Sequence, residues 1–386
     1  MKTVESIDLK HKTVILRCDL NVAIKDGNII DDTRITSSLK TIEYILNQDA
    51  KLVIMSHLGK VKTEEDKTKN DMRIVYKRLD ELLPNRINFV NDTNYNVIKK
   101  ELDNIEYSHG LLIQNTRYED LEGQKESSCD ENLSKQWASL GDIFINDAFG
   151  TIHRKHASNY GISCFLPSAV GFLIQTEIEE LNKLDNPKKP FIVIMGGAKI
   201  SDKVKVIESL IIKADYILVG GAMSFNFLKA QGYEIGNSLI EEDAIETCKE
   251  LLNKYKNRII LPVDFYGKVN GKKELQKVDE ISKNFAGLDI GKETVEKYQK
   301  ILENTKTVFW NGPLGMYEDE DFRYGTKEIL KYIKETNETV ILGGGDIVAA
   351  SNLLNYTKDI TFASTGGGAT LKYLESHDQP GIINMK

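Results

Sequence analysis

The chain has 386 residues, of which 41% are hydrophobic and 28% charged, a composition typical of a soluble globular protein with room for two domains. Its net charge of −7 argues against a general binder of nucleic acids or anionic membranes, so an anion site would need a local concentration of cationic groups. The absence of an apolar signal segment, of a run of about 18 apolar residues and of a CxxC pair predicts a cytoplasmic protein with free thiols and no membrane span.

The first half alternates short apolar runs with helical patterns. The apolar runs lie at residues 14–16, 52–55, 111–113 and 143–145. Helical spacing occupies residues 37–46 and 130–140, and several runs end in polar or cationic residues such as Arg17, His57 and Arg117. This alternation predicts a parallel sheet covered on both faces, whose ligands bind outside the carboxyl ends of its strands.

The second half has the same alternation, but its strand ends carry glycine. The apolar runs lie at residues 192–195, 216–219, 307–310, 340–342 and 361–363. Glycine turns repeated at one kind of position favour a single large ligand lying along the rim of the sheet, with backbone N–H groups aimed at it. Neither GxxxxGK[ST] nor GxGxxG occurs, which excludes a Walker-type loop and a dinucleotide fingerprint.

The apolar run Phe191–Met195 shows the pattern most fully. It is followed by a Gly-Gly pair, by Lys199 and Lys203, and by helical spacing from Ser201, with Ser201 or Asp202 as the expected N-cap. A glycine turn and a helix start with two ammonium groups predict an anion site. The alternative is an ordinary turn with solvated lysines.

A domain boundary is expected near the middle of the chain. Residues 169–184 have the spacing of one helix, and the segment 185–190 that follows is rich in Pro and Lys. A connecting helix with such an ending predicts a hinge. The alternative is a surface helix and loop within a single domain.

Nine motifs, in order along nearly the whole chain, resemble those of the phosphoglycerate kinase family. They are RCDLNV at 17–22, DDTRI at 31–35, SHLGK at 56–60, NTRYE at 115–119, NDAFGTIHRKHAS at 146–158, GGAKISDK at 196–203, WNGPLGMYE at 310–318, GGGD at 343–346 and STGGGA at 364–369. Each motif is modest alone, but nine in order are highly specific.

The resemblance implies an α/β protein of two doubly wound, Rossmann-like parallel-sheet domains that face each other across a cleft. Residues 1–170 would bind phosphoglycerate, residues 171–190 would form the hinge helix and linker, and residues 191–374 would bind the nucleotide. The tail, from about residue 375 to 386, would return to the first domain.

The activity implied is that of a glycolytic kinase, which transfers a phosphoryl group reversibly between 1,3-bisphosphoglycerate and ADP to give 3-phosphoglycerate and ATP. The resemblance also implies Mg²⁺, a monomer in the cytoplasm, and no nucleic-acid or membrane partner. Because the accepting carboxylate or phosphate is already an anion, no general base is needed and the task is electrostatic. Closure about the hinge would unite the substrates and exclude water.

Ten residues would bind the phosphoglycerate according to the resemblance. They are Asp19, Leu20, Asn21, Arg34, His57, Leu58, Gly59, Lys60, Arg117 and Arg154. Arg117 and Arg154, with His57, would clamp the phosphate. Asp19 and Asn21 would contact the hydroxyl and carboxyl groups.

Catalytic and nucleotide-binding residues follow from the same resemblance. The catalytic set is Arg34, Lys199, Lys203, Gly367 and Gly368. The nucleotide set is Lys203, Gly221, Gly287, Gly291, Asn311, Glu318, Gly344, Gly345, Asp346 and Ile347. Arg34 would lie nearest the transferred group, Asp346 would hold Mg²⁺, and Glu318 would accept hydrogen bonds from the ribose. The glycines at 221, 287 and 291 would leave room for adenine.

Some positions depart from the family pattern. Lys60 stands where arginine is usual, which keeps the charge but loses the bidentate fork. Ile347 replaces a usual hydroxyl residue and Lys292 a usual proline, and the tail lacks a usual glycine-lysine pair. We interpret these departures as family variation.

Two other functions are considered. One is a different α/β kinase acting on another carboxylate. The other is a catalytically idle nucleotide-binding scaffold, against which the intact Arg34, Lys199 and Lys203 argue.

Overall fold

A computed structural model describes residues 1–336 and 338–386, which divide into two compact units. Unit 1 comprises Met1–Ile178 and Ser376–Lys386, and unit 2 comprises Glu179–Glu375. Each unit has its own six-stranded sheet and its own hydrophobic core, which are the components of a domain.

Unit 1 alternates strands and helices along the chain. The strands are β1 (Thr13–Cys18), β2 (Ile24–Lys25), β3 (Asn28–Ile29), β4 (Lys51–Met55), β5 (Ile87–Val90), β6 (Gly110–Ile113), β7 (Ile143–Asp147) and β8 (Ser168–Val170). The helices are α1 (Thr33–Leu46), α2 (Glu64–Lys69), α3 (Arg73–Leu82), α4 (Tyr95–Asn104), α5 (Glu131–Ala138) and α6 (Phe172–Asn182), the last of which runs on into unit 2.

The main sheet of unit 1 is entirely parallel, in the order β5-β6-β4-β1-β7-β8. Its central strand β1 is rich in β-branched residues and buried on both faces because helices cover the sheet on both sides. The carboxyl ends of β1, β4 and β7 therefore meet at one edge, as the sequence predicts. Asn94 and Asp130 cap α4 and α5 through their side chains.

Unit 2 also alternates strands and helices and has a three-stranded antiparallel sheet in addition. Its strands are β9 (Phe191–Met195), β10 (Tyr216–Val219), β11 (Ile259–Ile260), β12 (Asp264–Val269), β13 (Lys272–Lys277), β14 (Phe285–Ile290), β15 (Thr307–Asn311), β16 (Thr339–Gly343) and β17 (Phe362–Ser364). Its helices are α7 (Val204–Ile211), α8 (Met223–Ala230), α9 (Ile245–Lys254), α10 (Lys292–Leu302), α11 (Tyr324–Thr336), α12 (Gly345–Leu353) and α13 (Gly368–Glu375).

The main sheet of unit 2 is also parallel, in the order β11-β10-β9-β15-β16-β17. The strand β9 lies at its centre, so the glycine turn after β9 is flanked by the turns after β10 and β15. Sequence analysis did not predict the antiparallel sheet β13-β12-β14. Its hairpin turn, Asn270-Gly271, has positive φ at both residues, the pattern of a tight two-residue turn.

The C-terminal tail belongs to unit 1, which confirms the predicted return. A last helix, α14 (Pro380–Ile383), lies in this tail. Gly381 N donates to Ile152 O at 2.8 Å, and Asn146 Nδ2 donates to Gly381 O at 2.7 Å. Lys2 N donates to Met385 O at 2.7 Å, so both chain ends pack on the same unit.

Two predicted element boundaries are wrong. Residues 169–184 are not one helix, because residues 168–170 pair with β7 as strand β8 and α6 begins only at Phe172. The helix after β9 begins at Val204, with Lys203 at the N-cap position and no side-chain cap. Ser201, a predicted N-cap, instead donates its hydroxyl to Glu241 at 2.7 Å.

Candidate active site

A buried arginine lies at the carboxyl end of β1. The side chain of Arg17 is fully buried and donates from Nε to Ser158 Oγ at 2.9 Å and from Nη2 to His57 Nδ1 at 3.0 Å. Its Nη1 donates to Cys18 O. Arg17 is not among the predicted site residues, although a charged residue inside an apolar strand is a visible signal in the sequence.

The counter-charge to Arg17 is Glu126, which is also fully buried. Ser158 N donates to Glu126 Oε2 at 2.9 Å and Ser158 Oγ donates to Oε1, so the serine bridges the two charges. Burial raises the pKa of Glu126, and the charge of Arg17 and the bonds from Ser158 oppose this. Sequence analysis also missed Glu126, which lies in a loop segment with no distinguishing pattern.

His57 is held neutral within this cluster. Burial lowers its pKa well below the ordinary value, and the charges of Arg17, Arg117 and Arg154 lower it further. Because Arg17 can only donate, His57 Nδ1 must accept, which leaves the proton on Nε2. His57 is therefore a hydrogen-bond donor for an oxyanion rather than a cation.

Arg34 and Asp19 form an ion pair near this cluster. Arg34 Nη1 donates to Asp19 Oδ2, and the arginine side chain is 34% exposed whereas that of Asp19 is 6% exposed. Asp19 Oδ1 is buried and has no hydrogen-bond partner among residues 1–336 and 338–386. Such an oxygen can accept a hydrogen bond from a hydroxyl group of a ligand.

The loops after β1 and β4 are positioned by hydrogen bonds from backbone N–H groups to side chains. Leu20 N donates to Ser56 Oγ at 2.9 Å, and Gly59 N donates to Asn21 Oδ1 at 2.8 Å. Leu58 N donates to Asn115 Oδ1 at 3.1 Å. The predicted residues 20, 21, 58 and 59 are thus brought together, and Lys60 is exposed beside them.

Arg117 and Arg154 complete the cationic site of unit 1. Arg117 Nη1 donates to Asp120 Oδ2 at 3.1 Å and to Ser127 Oγ at 3.0 Å. Its buried Nε has no partner within the described part of the chain. Burial and the charge of Arg117 lower the pKa of Arg154, so the two cations are close.

His156 lies near these arginines. Burial and the charges of the arginines lower the pKa of His156 to about 3. His156 is not among the predicted site residues.

In unit 2 the turn after β9 depends on close backbone approach. Gly196 N donates to Asn311 O and Gly197 N to Pro313 O, both at 2.8 Å. A Cβ on Gly196 would lie 2.2 Å from Pro313 O, and Gly197 has φ of +92°. A side chain at position 196 would therefore clash with the neighbouring turn, and position 197 has the left-handed backbone that favours glycine.

Lys203 and Asn311 meet beside this turn. Lys203 Nζ donates to Asn311 Oδ1, and Asn311 Nδ2 donates to Gly343 O. Burial lowers the pKa of Lys203 to about 8, while the charges of Asp346 and Asp202 oppose the shift. The lysine is thus a partly desolvated cation, which binds an anion more strongly than a solvated lysine does.

A cavity of about 410 Å³ surrounds these groups. It is lined by Gly197, Ala198, Lys199, Asp202, Lys203, Asn311, Gly312, Gly344, Gly345, Asp346, Gly367, Gly368 and Leu371. A Cβ on Gly345, Gly367 or Gly368 would meet nothing within 4 Å, so these glycines face open space. Since α12 begins at Gly345 and α13 at Gly368, two helix N-termini supply N–H groups suited to phosphate.

A second cavity of about 420 Å³ shares Gly197, Ala198 and Asp346 with the first. It is lined also by Gly221, Ala222, Asn237, Ser238, Leu239, Ala286, Gly287, Leu288, Pro313, Gly315, Met316, Tyr317 and Glu318. Its apolar walls, with the carboxylates of Glu318 and Asp346, suit a flat ring attached to a sugar.

Two predicted nucleotide residues, Gly291 and Ile347, do not line either cavity with a side chain. Gly291 is the N-cap residue of α10, where a Cβ would lie 2.2 Å from Asp264 Cγ, so helix packing accounts for this glycine. Ile347 is fully buried in the core of unit 2, and only its backbone can face the cavity.

Asp346 is the predicted metal ligand, and it lines both cavities. No group of three His, Cys, Asp or Glu suited to a metal occurs in residues 1–336 and 338–386. A single hard carboxylate beside a phosphate-sized cavity fits Mg²⁺, which takes few ligands from protein and the rest from phosphate and water.

A cationic site in one α/β unit, and glycine turns opening onto phosphate- and ring-sized cavities in the other, define a nucleotide-dependent phosphotransferase. The model of the phosphoglycerate kinase family matches residues 4–377. The chain belongs to the phosphoglycerate kinase family, and its activity is glycolytic phosphoryl transfer.

Curated relatives and solved structures agree with this assignment. The chain is 47% identical over 392 residues to the phosphoglycerate kinase of Macrococcus caseolyticus and 48% identical over 390 residues to that of Listeria monocytogenes, covering 100% of this chain and 98% of each relative. The structure of phosphoglycerate kinase from Coxiella burnetii has a TM-score of 0.86 at 33% identity, covering 99% of this chain and 97% of that one. The enzyme from Pyrococcus horikoshii has a TM-score of 0.85 at 31% identity, covering 100% and 98%.

No helix in the described residues is both long and apolar enough to cross a membrane.

Proposed function

We propose that unit 1 binds 3-phosphoglycerate or 1,3-bisphosphoglycerate and that unit 2 binds MgADP or MgATP. The observation that carries the assignment of unit 1 is the convergence of Arg117, Arg154 and neutral His57 on one site, with Arg17 behind them. Arg117 and Arg154 supply charge to the phosphate, and His57 Nε2–H donates to it. Asp19 Oδ1 accepts from the substrate hydroxyl.

The nucleotide phosphates lie in the cavity of about 410 Å³, and the adenine and ribose lie in the adjoining one of about 420 Å³. Lys199 and Lys203 neutralise the phosphates, and Glu318 accepts from the ribose hydroxyls. The N–H groups at Gly367 and Gly368 stabilise the transferred phosphoryl group. Asp346 holds Mg²⁺, which supplies charge neutralisation to the phosphate oxygens when bound.

Transfer proceeds without a general base, because the attacking oxygen is a carboxylate or a phosphate. Arg34 and Lys203 stabilise the charge that spreads over the phosphoryl group in the transition state. Closure of the two units about α6 and the segment 183–190 brings the substrates together and excludes water that would hydrolyse the acyl phosphate. The enzyme acts as a monomer in the cytoplasm.

The test is a coupled assay of ATP-dependent acyl-phosphate formation from 3-phosphoglycerate. We expect Arg34→Ala to lower kcat by about 10²- to 10³-fold, because a transition-state cation is lost, with nucleotide affinity unchanged. Arg73→Ala is the matched control, since Arg73 is an arginine of α3 that pairs with Asp71 at 3.6 Å. ATP binding without any turnover in the unaltered protein would instead support an idle scaffold.

A further inference from the structure

The loop between β9 and α7 carries both lysines of the proposed phosphate site. Its start is fixed by the hydrogen bond from Gly197 N to Pro313 O, and its centre by Ile200, which is fully buried. Lys199 lies between these points and is exposed. Lys203 follows one turn later, so the path of residues 197–203 sets the positions of both ammonium groups.

A carboxylate outside the two cavities holds this segment. Ser201 N donates to Glu241 Oε2 at 3.0 Å, and Ser201 Oγ donates to Glu241 Oε1 at 2.7 Å. Although burial raises the pKa of Glu241, the bonds from Ser201 and Ile200 and the charge on Lys199 bring it below the ordinary value. The carboxylate is therefore ionised and hydrogen-bonded to the loop, and it acts electrostatically on Lys199.

Glu241 is itself fixed to the helix that anchors the start of the loop. The buried Asn226 of α8 donates from Nδ2 to Glu241 O at 2.7 Å and accepts from Glu241 N at 3.2 Å. Met223 N, at the start of the same helix, donates to Gly197 O at 3.0 Å. One helix thus sets both ends of the lysine loop, directly at Gly197 and through Glu241 at Ser201.

We propose that Glu241 is a positioning residue for phosphoryl transfer, which acts through Ser201 to fix the loop that carries Lys199 and Lys203. The proposal rests on the proposed role of these lysines in binding the nucleotide phosphates. The ionised carboxylate of Glu241 gives the loop two charge-assisted hydrogen bonds, which are stronger than those of a neutral side chain.

The test compares Glu241→Gln with Glu242→Gln. Glutamine keeps the size of Glu241 but removes its charge, so the hydrogen bonds to Ser201 lose their charge assistance. We expect the KM for MgATP to rise about tenfold, since two charge-assisted hydrogen bonds become weaker neutral ones, with the KM for 3-phosphoglycerate and the Tm little changed. Glu242 is exposed and pairs with Lys229 at 3.2 Å, so its variant should behave as the unaltered enzyme.

A double-mutant cycle of Glu241→Gln and Ser201→Ala shows whether the two residues act as one unit. We expect the double variant to be scarcely worse than Glu241→Gln alone, because both changes break the same contact. Independent, multiplying effects would overturn the proposal. So would an equal rise of both KM values with a lowered Tm, which would mark a purely structural residue.

Lys199→Ala separates the failure of this inference from that of the proposed function. If Lys199→Ala impairs the enzyme and Glu241→Gln leaves it unchanged, only the positioning role of Glu241 is overturned. If Lys199→Ala leaves the enzyme unchanged, the proposed role of Lys199 is wrong, and the positioning role of Glu241 is then wrong as well.

Discussion

At the scale of single residues, the cationic site of unit 1 is built on charges removed from water. Arg17 and Glu126 are both fully buried, and Ser158 bridges them. A buried charge is costly unless it is paired and hydrogen-bonded, so each member of such a pair depends on the other. This arrangement fixes the guanidinium that in turn fixes the ring of His57.

Replacing Arg17 by Met should therefore destabilise the protein by about 3–5 kcal/mol, because Glu126 is left as a buried charge without its partner. Chemical denaturation measures this loss. The double variant Arg17→Met with Glu126→Gln should recover a large part of it, since the stranded charge is removed. Equal instability of the single and double variants would show that Glu126 does not depend on Arg17.

The lowered pKa of Lys203, about 8 through burial, predicts an alkaline limit to activity. Below this pH the free enzyme carries the ammonium ion that phosphate requires, and above it the side chain is neutral. The kcat/KM for MgATP should fall as the pH rises through about 8.

Lys203→Arg is the matched variant for this pH profile. Its guanidinium remains charged at alkaline pH, so its kcat/KM should be lower than that of the unaltered enzyme but should lack the decline. A decline of the same size and midpoint in the variant would assign the limit to another group.

Several candidate site residues were predicted from the motifs that carry them, whereas a residue selected by packing alone was not. Arg34, His57, Arg117 and Lys203 stand in motifs that sequence analysis could match. Glu126 comes from a loop, and its importance arises only because folding places it beside β1. A single sequence contains no trace of such a long-range pairing.

At the scale of elements, the start of α6 shows how the helix is held to unit 1. Asp147, the last residue of β7, accepts from Leu173 N at 2.8 Å and from Ile174 N at 3.2 Å. Thr41 Oγ1 accepts from Phe172 N at 3.1 Å. These bonds satisfy the N–H groups that a helix start leaves unpaired.

Burial raises the pKa of Asp147 from 3.8 to about 6, although the two N–H groups oppose the shift. Because the folded state binds this proton more tightly than the unfolded state, the proton stabilises the fold fully below about pH 4, and this contribution is lost as the pH rises through about 6. Asp147→Asn keeps an acceptor for the helix and does not titrate.

The stability of Asp147→Asn relative to the unaltered protein should therefore increase by about 3 kcal/mol, as an upper bound, between pH 4 and pH 7.5. Denaturant unfolding at the two pH values measures this difference, and all other titrating groups cancel in the comparison. A difference that does not change with pH would show that Asp147 titrates normally in the folded protein.

Parallel strands were predictable as elements, whereas the antiparallel sheet was missed. The strands β1 and β9 are continuous apolar runs because both of their faces are covered. The strand β13 (Lys272–Lys277) is mostly exposed and rich in lysine, so it lacks an apolar pattern. Its only local signal was the Asn270-Gly271 turn.

At the scale of the whole molecule, one chain builds two units of the same architecture and gives their strand ends different chemistry. Unit 1 places charged side chains at the rim of its sheet, which suits a small acid with many oxygens. Unit 2 places bare peptide groups there, which suits the larger surface of a nucleotide. Because each substrate is assigned to a different unit, binding one substrate does not complete the proposed site.

The proposed mechanism therefore predicts that the molecule becomes more compact only when both substrates are bound. X-ray scattering should show a decrease in the radius of gyration, on the order of 1 Å, with 3-phosphoglycerate and MgADP together, a pair that cannot react. Samples with either ligand alone are the controls and should change less, since neither supplies contacts to both units. An unchanged radius with both ligands bound at saturation would contradict closure, and transfer would then have to occur without any approach of the two units.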